Sequence, residues 1–171
     1  RNMLNVPIEK LRKKNDLTVS GAYTQYKADS IIVPNTISRL NILTPQLINS
    51  TAPSGVVPSQ YVVESAFKHD AKGNIVSVIK SNYSVQYLWD YSNQHPIAEV
   101  KNATNVNVAY SSFEADGKGN WSFSGTPTDD LTAPTGTKVY NITNGAISKS
   151  GLTSTTEYIV SYWTKNTSAL L

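Results

Sequence analysis

With 171 residues, 39% hydrophobic and 16% charged, the chain has the composition of an ordered protein, long enough for one domain or two small ones. The absence of cysteine excludes disulfides and thiolate metal sites. The net charge of +3 is small, and the basic cluster at residues 10–14 lacks interleaved aromatic residues, so it predicts a solvated strand face rather than a nucleic-acid site. Low charge with abundant Ser, Thr and Asn is typical of extracellular β-proteins, and we expect an all-β fold.

The first predicted element is a β-hairpin. Apolar residues within 6–13 precede a turn that begins at Asn15, and residues 17–24 then alternate between apolar and polar, which is the period of a strand. Residues 31–43 predict a further strand that is interrupted at Pro34.

A long loop and a second hairpin follow. Residues 44–60 contain three prolines among Gly, Ser and Thr, and so predict a surface loop. Residues 61–69 and 75–79 then predict two strands joined by a tight turn. In that turn Gly73 supplies a positive φ, and Asp70 can bond the local backbone.

The strongest pattern is an aromatic hairpin within residues 83–102. Tyr87, Trp89 and Tyr91 alternate with smaller or polar residues, four turn residues follow, and Pro96 opens the return strand. The alternation predicts these three rings and Pro96 as the structural core of the hairpin.

The hairpin carries a family resemblance. Residues 87–100 read Tyr-Leu-Trp-Asp-Tyr, four turn residues and Pro-Ile-Ala-Glu-Val, which resembles the hairpin of bacterial RHS/YD-repeat proteins. The Asp-x-x-Gly-Asn-Ile turn at Asp70 is similar to the repeat turn of that family, although His69 stands where Tyr is usual. The resemblance covers residues 1–105 and implies stacked antiparallel hairpins whose rings pack together, in a non-enzymatic shell or display scaffold for cargo or adhesive domains. It also implies an exported bacterial protein, secreted or at the cell surface, with type IX secretion as one route.

The character of the chain changes after residue 105. A short strand is predicted at 106–110 and an alternating strand at 157–165. The order Phe-Glu, Asn-Trp-Ser, Val-Tyr and Tyr-Ile-Val-Ser-Tyr-Trp-Thr-Lys resembles the opening half of a carbohydrate-binding-module jelly roll, which implies a partial β-sandwich over 106–171. We therefore expect the sequence to be an excerpt of a longer polypeptide that begins within a repeat array and ends within a domain.

The jelly-roll resemblance supplies three candidate binding residues. In such domains a carboxylate after the first-strand Phe often joins backbone carbonyls around a structural calcium, and Glu114 occupies that position; a strand-end Glu facing water is the alternative. Trp121 and Trp163 are candidate sugar platforms, because a flat ring stacks on a pyranose. Core packing is the alternative for both tryptophans and is the favoured one.

No catalytic residue is predicted. His69 and His95 lie in predicted turns without a nucleophile elbow, and neither has the spacing of a zinc site. The carboxylates of Asp129 and Asp130 are adjacent in the sequence, so they point to opposite sides of an extended segment rather than into one cleft.

Several functions remain open at this stage. The leading hypothesis is the structural scaffold; the alternatives are a carbohydrate-binding module, a secretion substrate ordered only with its transport partner, and lastly a hydrolase. Exposed strand edges predict that the chain is ordered with a surface partner, with the rest of its own polypeptide or with a translocation complex. No apolar run is long enough to span a bilayer, and we expect any export signal to lie outside this sequence.

Overall fold

The computed structural model describes residues 7–28, 30–49 and 57–165, and it confirms the predicted all-β class. Within those residues there is no α-helix; a seven-stranded antiparallel sheet is accompanied by a two-stranded one. The large sheet comprises β1 (Glu9–Lys14), β2 (Leu17–Ala28), β3 (Ile32–Leu40), β4 (Tyr61–His69), β5 (Ile75–Lys80), β6 (Ser84–Asp90) and β7 (His95–Lys101). The small sheet pairs β8 (Thr128–Asp129) with β9 (Lys138–Val139), and short 3₁₀ helices span Asn105–Asn107 and Ile142–Asn144.

The chain divides into two compact units. The sheet unit comprises Arg1–Tyr87 and Ala98–Asn105, and the loop unit comprises Leu88–Ile97 and Val106–Leu171. The β6–β7 hairpin therefore contributes residues to both. The assignment of 1–105 to YD repeats and of 106–171 to a jelly roll stays a prediction.

Each strand of the large sheet pairs with the next strand in the sequence, because tight turns join most of them. Asn15 and Asp16 both have positive φ (50° and 62°), as a two-residue hairpin turn requires. In the β4–β5 turn Gly73 has φ 91°, and one oxygen of Asp70 accepts the backbone N–H of Asn74 at 2.9 Å. Both predicted hairpins are confirmed.

The predicted interruption at Pro34 is wrong, since β3 runs through it. The register between β2 and β3 instead shifts there: Gln25 faces Thr36 and Tyr26 faces Pro34, so one residue bulges out. The residue without a register partner is Asn35, so Pro34 lies beside a bulge, where the ladder is already interrupted.

The predicted long loop forms no named strand in its described parts, 44–49 and 57–60, and residues 50–56 lie outside the described residues. Gln46 makes an isolated antiparallel bridge to Thr18, with the Thr18 N–H donating to the Gln46 carbonyl at 2.7 Å. This bridge fastens the start of the loop to β2.

The core of the sheet unit is small and aromatic. Tyr23, Leu40 and Tyr61 are buried, and the two rings have centroids 5.7 Å apart. A Cβ at Gly21 would lie 2.8 Å from the end of the Leu11 side chain and 3.0 Å from the Tyr61 hydroxyl, so any larger residue there would displace these side chains. The partly buried residues that pack around this core are Leu11, Ile42, Ile48 and Val57.

A row of buried polar residues adds to this core. Ser38, Ser65, Ser77 and Gln86 are all buried on the sheet strands. The Gln86 side-chain amide donates to the Ser77 hydroxyl at 2.9 Å, which joins β5 to β6, whereas the Ser38 hydroxyl has no partner. The Gln86–Ser77 pair therefore satisfies its buried polar groups, whereas the buried hydroxyl of Ser38 is left without a hydrogen bond.

The loop unit has little regular structure. The rings of Phe113, Phe123 and Tyr140 form its centre, with centroids 4.9 to 5.8 Å apart. Two predicted strands are wrong: residues 106–107 belong to the 3₁₀ helix Asn105–Asn107 and 108–110 have no regular structure, while residues 157–165 form no strand. Beyond β9, which is limited to Lys138–Val139, residues 140–141 form no strand. An alternating pattern becomes a strand only where a neighbouring strand completes the hydrogen-bond ladder.

Candidate functional site

The aromatic hairpin was predicted correctly as β6 and β7, but two of the four residues predicted as its core, Tyr91 and Pro96, are exposed. Tyr87 and Trp89 are half-buried, Tyr91 is 39% exposed, and Pro96 is exposed. Near the tip of β6 the fully buried residues are instead Leu88 and Asp90. Alternation identifies two faces of a strand but not which face the surrounding chain covers.

Asp90 anchors the turn at Gly117 to this face of β6. Its carboxylate is 7% exposed and accepts the N–H of Gly117 with both oxygens, at 2.9 and 3.1 Å, as well as the N–H of Tyr91 at 2.7 Å. A Cβ at Gly117 would lie 2.6 Å from the Asp90 carboxylate, so the approach requires glycine. Sequence reasoning missed this anchor, and its signal is an Asp within an apolar strand paired with a distant Asp-Gly turn.

Glu114 forms a second carboxylate anchor. Its Oε1 accepts the backbone N–H groups of Thr137 at 2.7 Å and of Lys138 at 2.5 Å. The Thr137 backbone donor is the main reason that the pKa of Glu114 lies below its ordinary value, with the Lys138 donor adding to it. Donors directed at the carboxylate take up lone pairs that a calcium ion would use. The calcium site stays a prediction, and the geometry describes a loop clamp.

The two candidate sugar platforms differ in exposure. Trp121 is half-buried, whereas Trp163 is 81% exposed and Tyr162 beside it is 77% exposed. Core packing, the favoured alternative, therefore does not describe Trp163. Its ring is available to a partner.

A polar groove in the sheet unit was not foreseen. It measures about 220 Å³ and is lined by Glu9, Gln46, Leu47, Ile48, Asn49, Pro58, Gln60 and Tyr61. The Tyr61 hydroxyl donates to the Glu9 carboxylate at 2.6 Å. Burial, and then the Glu9 carboxylate, raise the pKa of Tyr61 above the usual range, so its hydroxyl stays protonated. Glu9 and Tyr61 are 52 residues apart, a separation that no local pattern bridges.

The residues that were considered as catalytic candidates, the two histidines and the paired aspartates, are described next by their contacts. The ring of His95 packs edge-on against Tyr91 at 5.8 Å, and burial lowers the pKa of His69. The Asp130 carboxylate accepts from Lys165 at 2.9 Å, which holds the pKa of that carboxyl well below its usual range. Across the described ranges, no group of three or more His, Cys, Asp or Glu side chains is placed to hold a metal ion.

Comparison with known proteins gives no relative. The chain matches no protein-family model, no curated protein sequence and no solved structure. Of the part of the chain that the structure describes, no helix has the length and apolar character needed to cross a membrane.

Proposed function

We propose that this chain is a non-enzymatic structural segment of an exported bacterial protein of the RHS type, a shell or display scaffold at the cell surface or in the secreted fraction. The observation that carries the proposal is the unbroken strand order β1 to β7, in which every strand pairs with its successor. A sheet built from successive hairpins extends by adding more of them, which is the property a scaffold needs.

The thinness of the core supports this role. The sheet unit buries one small aromatic cluster, while Val62 and Val63 on β4 are 55% and 53% exposed and Ile79 on β5 is 43% exposed. Apolar side chains on a sheet are stabilised when a second layer covers them. The sheet therefore presents surface that further repeats or enclosed cargo would cover.

The edge strands of the sheet carry residues that disfavour pairing with unrelated chains. β1 has Lys10, Arg12, Lys13 and Lys14, whose charges and flexible stems disfavour unwanted pairing with another chain. β7, at the other edge, contains Pro96, which has no N–H to offer. Both edges are blunted, as expected of a sheet exposed during export.

The test measures two quantities for each variant: the free energy of unfolding, and the amount of the full-length protein that the producing cell displays at its surface. For a scaffold, surface display of the full-length protein tracks the free energy of unfolding alone. We expect Tyr61→Ala, which removes a core ring, to reduce display strongly, and Gln60→Ala, on the groove rim, to leave both quantities unchanged. A groove substitution that abolishes the protein's biological activity at unchanged stability and unchanged display would contradict the scaffold.

Carbohydrate binding is the second candidate function, favoured by the exposed ring of Trp163. A glycan screen by calorimetry tests it: binding that is lost in Trp163→Ala and kept in Tyr110→Ala, a substitution at another exposed ring, would establish a sugar site. If no glycan in the screen binds, the carbohydrate-binding candidate is rejected and the scaffold proposal stands.

The third candidate is a secretion substrate that is ordered only with its transport partner. Limited proteolysis of the isolated chain distinguishes it from the other two candidates. A single compact, resistant monomer would contradict it.

A further inference from the structure

Residues 157–165 form a segment with the composition of a strand and no sheet to join. Ile159 is 99% exposed and Val160 63%, while Tyr162 and Trp163 are similarly open to solvent. Because successive side chains of an extended segment point to opposite sides, both faces of this one are uncovered. Among the described residues, the backbone groups of Ile159–Trp163 have no hydrogen-bond partner.

The sequence of this segment is complementary to itself when two copies run antiparallel. With Ser161 opposite Ser161 of a second copy, Glu157 lies opposite Lys165 at both ends. In the same register Ile159 faces Trp163, and Val160 faces Tyr162. Pairs of an aromatic with a β-branched residue, and pairs of opposite charge, are the cross-strand combinations that stabilise antiparallel sheets.

The other strand edges of the chain fit the segment less well. β1 carries four basic side chains, and the segment offers it only the single acid Glu157 while adding the like charge of Lys165. β7 contains Pro96, which interrupts the row of N–H donors along that strand. The segment of a second copy combines matched charges with an uninterrupted backbone.

We propose that Glu157–Lys165 is a dimerisation strand, which pairs antiparallel with the same segment of a second copy about a two-fold axis at Ser161. Such an interface is isologous, so each contact occurs twice. Pairing satisfies the open backbone groups and leaves the rings on the faces of the new two-stranded sheet, beside aliphatic side chains of the partner. To form the new pair, Lys165 must leave the Asp130 carboxylate and the Thr132 hydroxyl, to which it donates at 2.9 and 2.7 Å, and this exchange is a further reason to expect a weak dimer.

The expected dimer is weak, because a two-stranded ribbon buries less surface than a standard interface. Sedimentation equilibrium of the whole chain from about 10 μM to about 1 mM, a range chosen for weak encounters, should show reversible dimerisation. Glu157→Lys and Lys165→Glu each place like charges opposite one another twice, and we expect each to weaken dimerisation at least tenfold.

The deciding measurement mixes the two variants. A chain with lysine at both positions and a chain with glutamate at both positions are complementary at both ends, so the mixture should form heterodimers although neither variant self-associates. The double variant Glu157→Lys/Lys165→Glu should likewise recover the homodimer. Lys14→Glu makes the same charge change on β1 and should leave dimerisation unaltered.

Three results would overturn the proposal. The first is a chain that is monomeric over the whole concentration range. The second is single variants that dimerise as well as the parent chain. The third is a mixture that stays monomeric while circular dichroism shows both variants folded like the parent. A single variant that loses its fold is replaced in the mixture by the conservative change Glu157→Gln or Lys165→Gln, for which a smaller weakening without rescue on mixing is expected.

Discussion

The two units hold their backbone in different ways. In the sheet unit, consecutive strands satisfy one another's N–H and C=O groups through antiparallel ladders, although each of the first four pairings contains a register shift. In the loop unit, backbone pairs such as Ser122 with Ser148 are short and scattered, and side chains act as additional partners. Asp90 holds Gly117, Glu114 holds Thr137, and Asn120 donates to the Val108 carbonyl at 2.9 Å. Every buried backbone group needs a partner, and these units represent two solutions.

The difference has consequences for how each unit fails. A ladder distributes its hydrogen bonds over many residues, so the sheet unit depends on its small aromatic core for the remaining stability. A unit held by a few carboxylates concentrates its stability in them and makes it dependent on their charge. Substitutions in the two units should therefore differ in size and in their dependence on pH.

The largest expected effect is at the core of the sheet unit. Tyr23 is 3% exposed and packs against Tyr61, so Tyr23→Ala should lower the free energy of unfolding by about 3 kcal/mol. Tyr83→Ala is the matched control, since that ring is 37% exposed over Lys80 and should cost about 1 kcal/mol or less. Urea unfolding measures both, and equal losses would mean that the aromatic cluster is not the core.

The next effect is at the main anchor of the loop unit. Asp90→Asn keeps the shape of the side chain but removes the charge that strengthens its bonds to Gly117 and Tyr91, and we expect a loss of about 2 kcal/mol. Asp129→Asn, at an exposed position, should change stability by less than about 0.5 kcal/mol. Faster hydrogen exchange at the Gly117 amide should accompany the first substitution alone. An unchanged exchange rate would show that the carboxylate does not hold this loop.

The third prediction concerns acid. The pKa of Glu114 is lower in the folded chain than its ordinary value of 4.5, so its contribution is fully present above that value and disappears as the pH falls through the folded-state pKa. Glu114→Gln should therefore be less stable than the parent chain at pH 7, and the difference should vanish in strong acid. Thermal unfolding across the acid range measures it. A difference that is independent of pH would mean that the carboxylate charge is not what clamps the loop.

The pairing of the sheet strands was predictable from sequence because it is local. Hairpins at Asn15 and Gly73 follow from turn residues that favour positive φ between alternating segments, and β6 and β7 follow from the same logic. At Pro34 the prediction was wrong, because a proline can end a strand or lie beside a bulge and only the neighbouring strand decides between them.

The sites were less predictable because they depend on distant parts of the chain. Asp90 accepts the N–H of Gly117, 27 positions away, and Glu9 accepts from the Tyr61 hydroxyl across 52 positions. Alternation at 157–165 indicates a strand, but it carries no information on whether another strand is available to pair with it. Only the assembled chain shows that these rings are exposed.

The smallest expected effect comes from comparing two buried hydroxyl groups of the sheet, one with a hydrogen-bond partner and one without. Ser77→Ala removes the partner of the buried Gln86 amide and should cost about 1 to 2 kcal/mol. Ser38→Ala removes a hydroxyl that is fully buried and without a partner, so the change should lie within about 0.5 kcal/mol of zero or stabilise the chain. Urea unfolding of the two variants makes the comparison at nearly equal size and burial. A cost at Ser38 equal to that at Ser77 would mean that its hydroxyl is hydrogen-bonded in solution, and the sheet would then satisfy its buried side chains as fully as it satisfies its backbone.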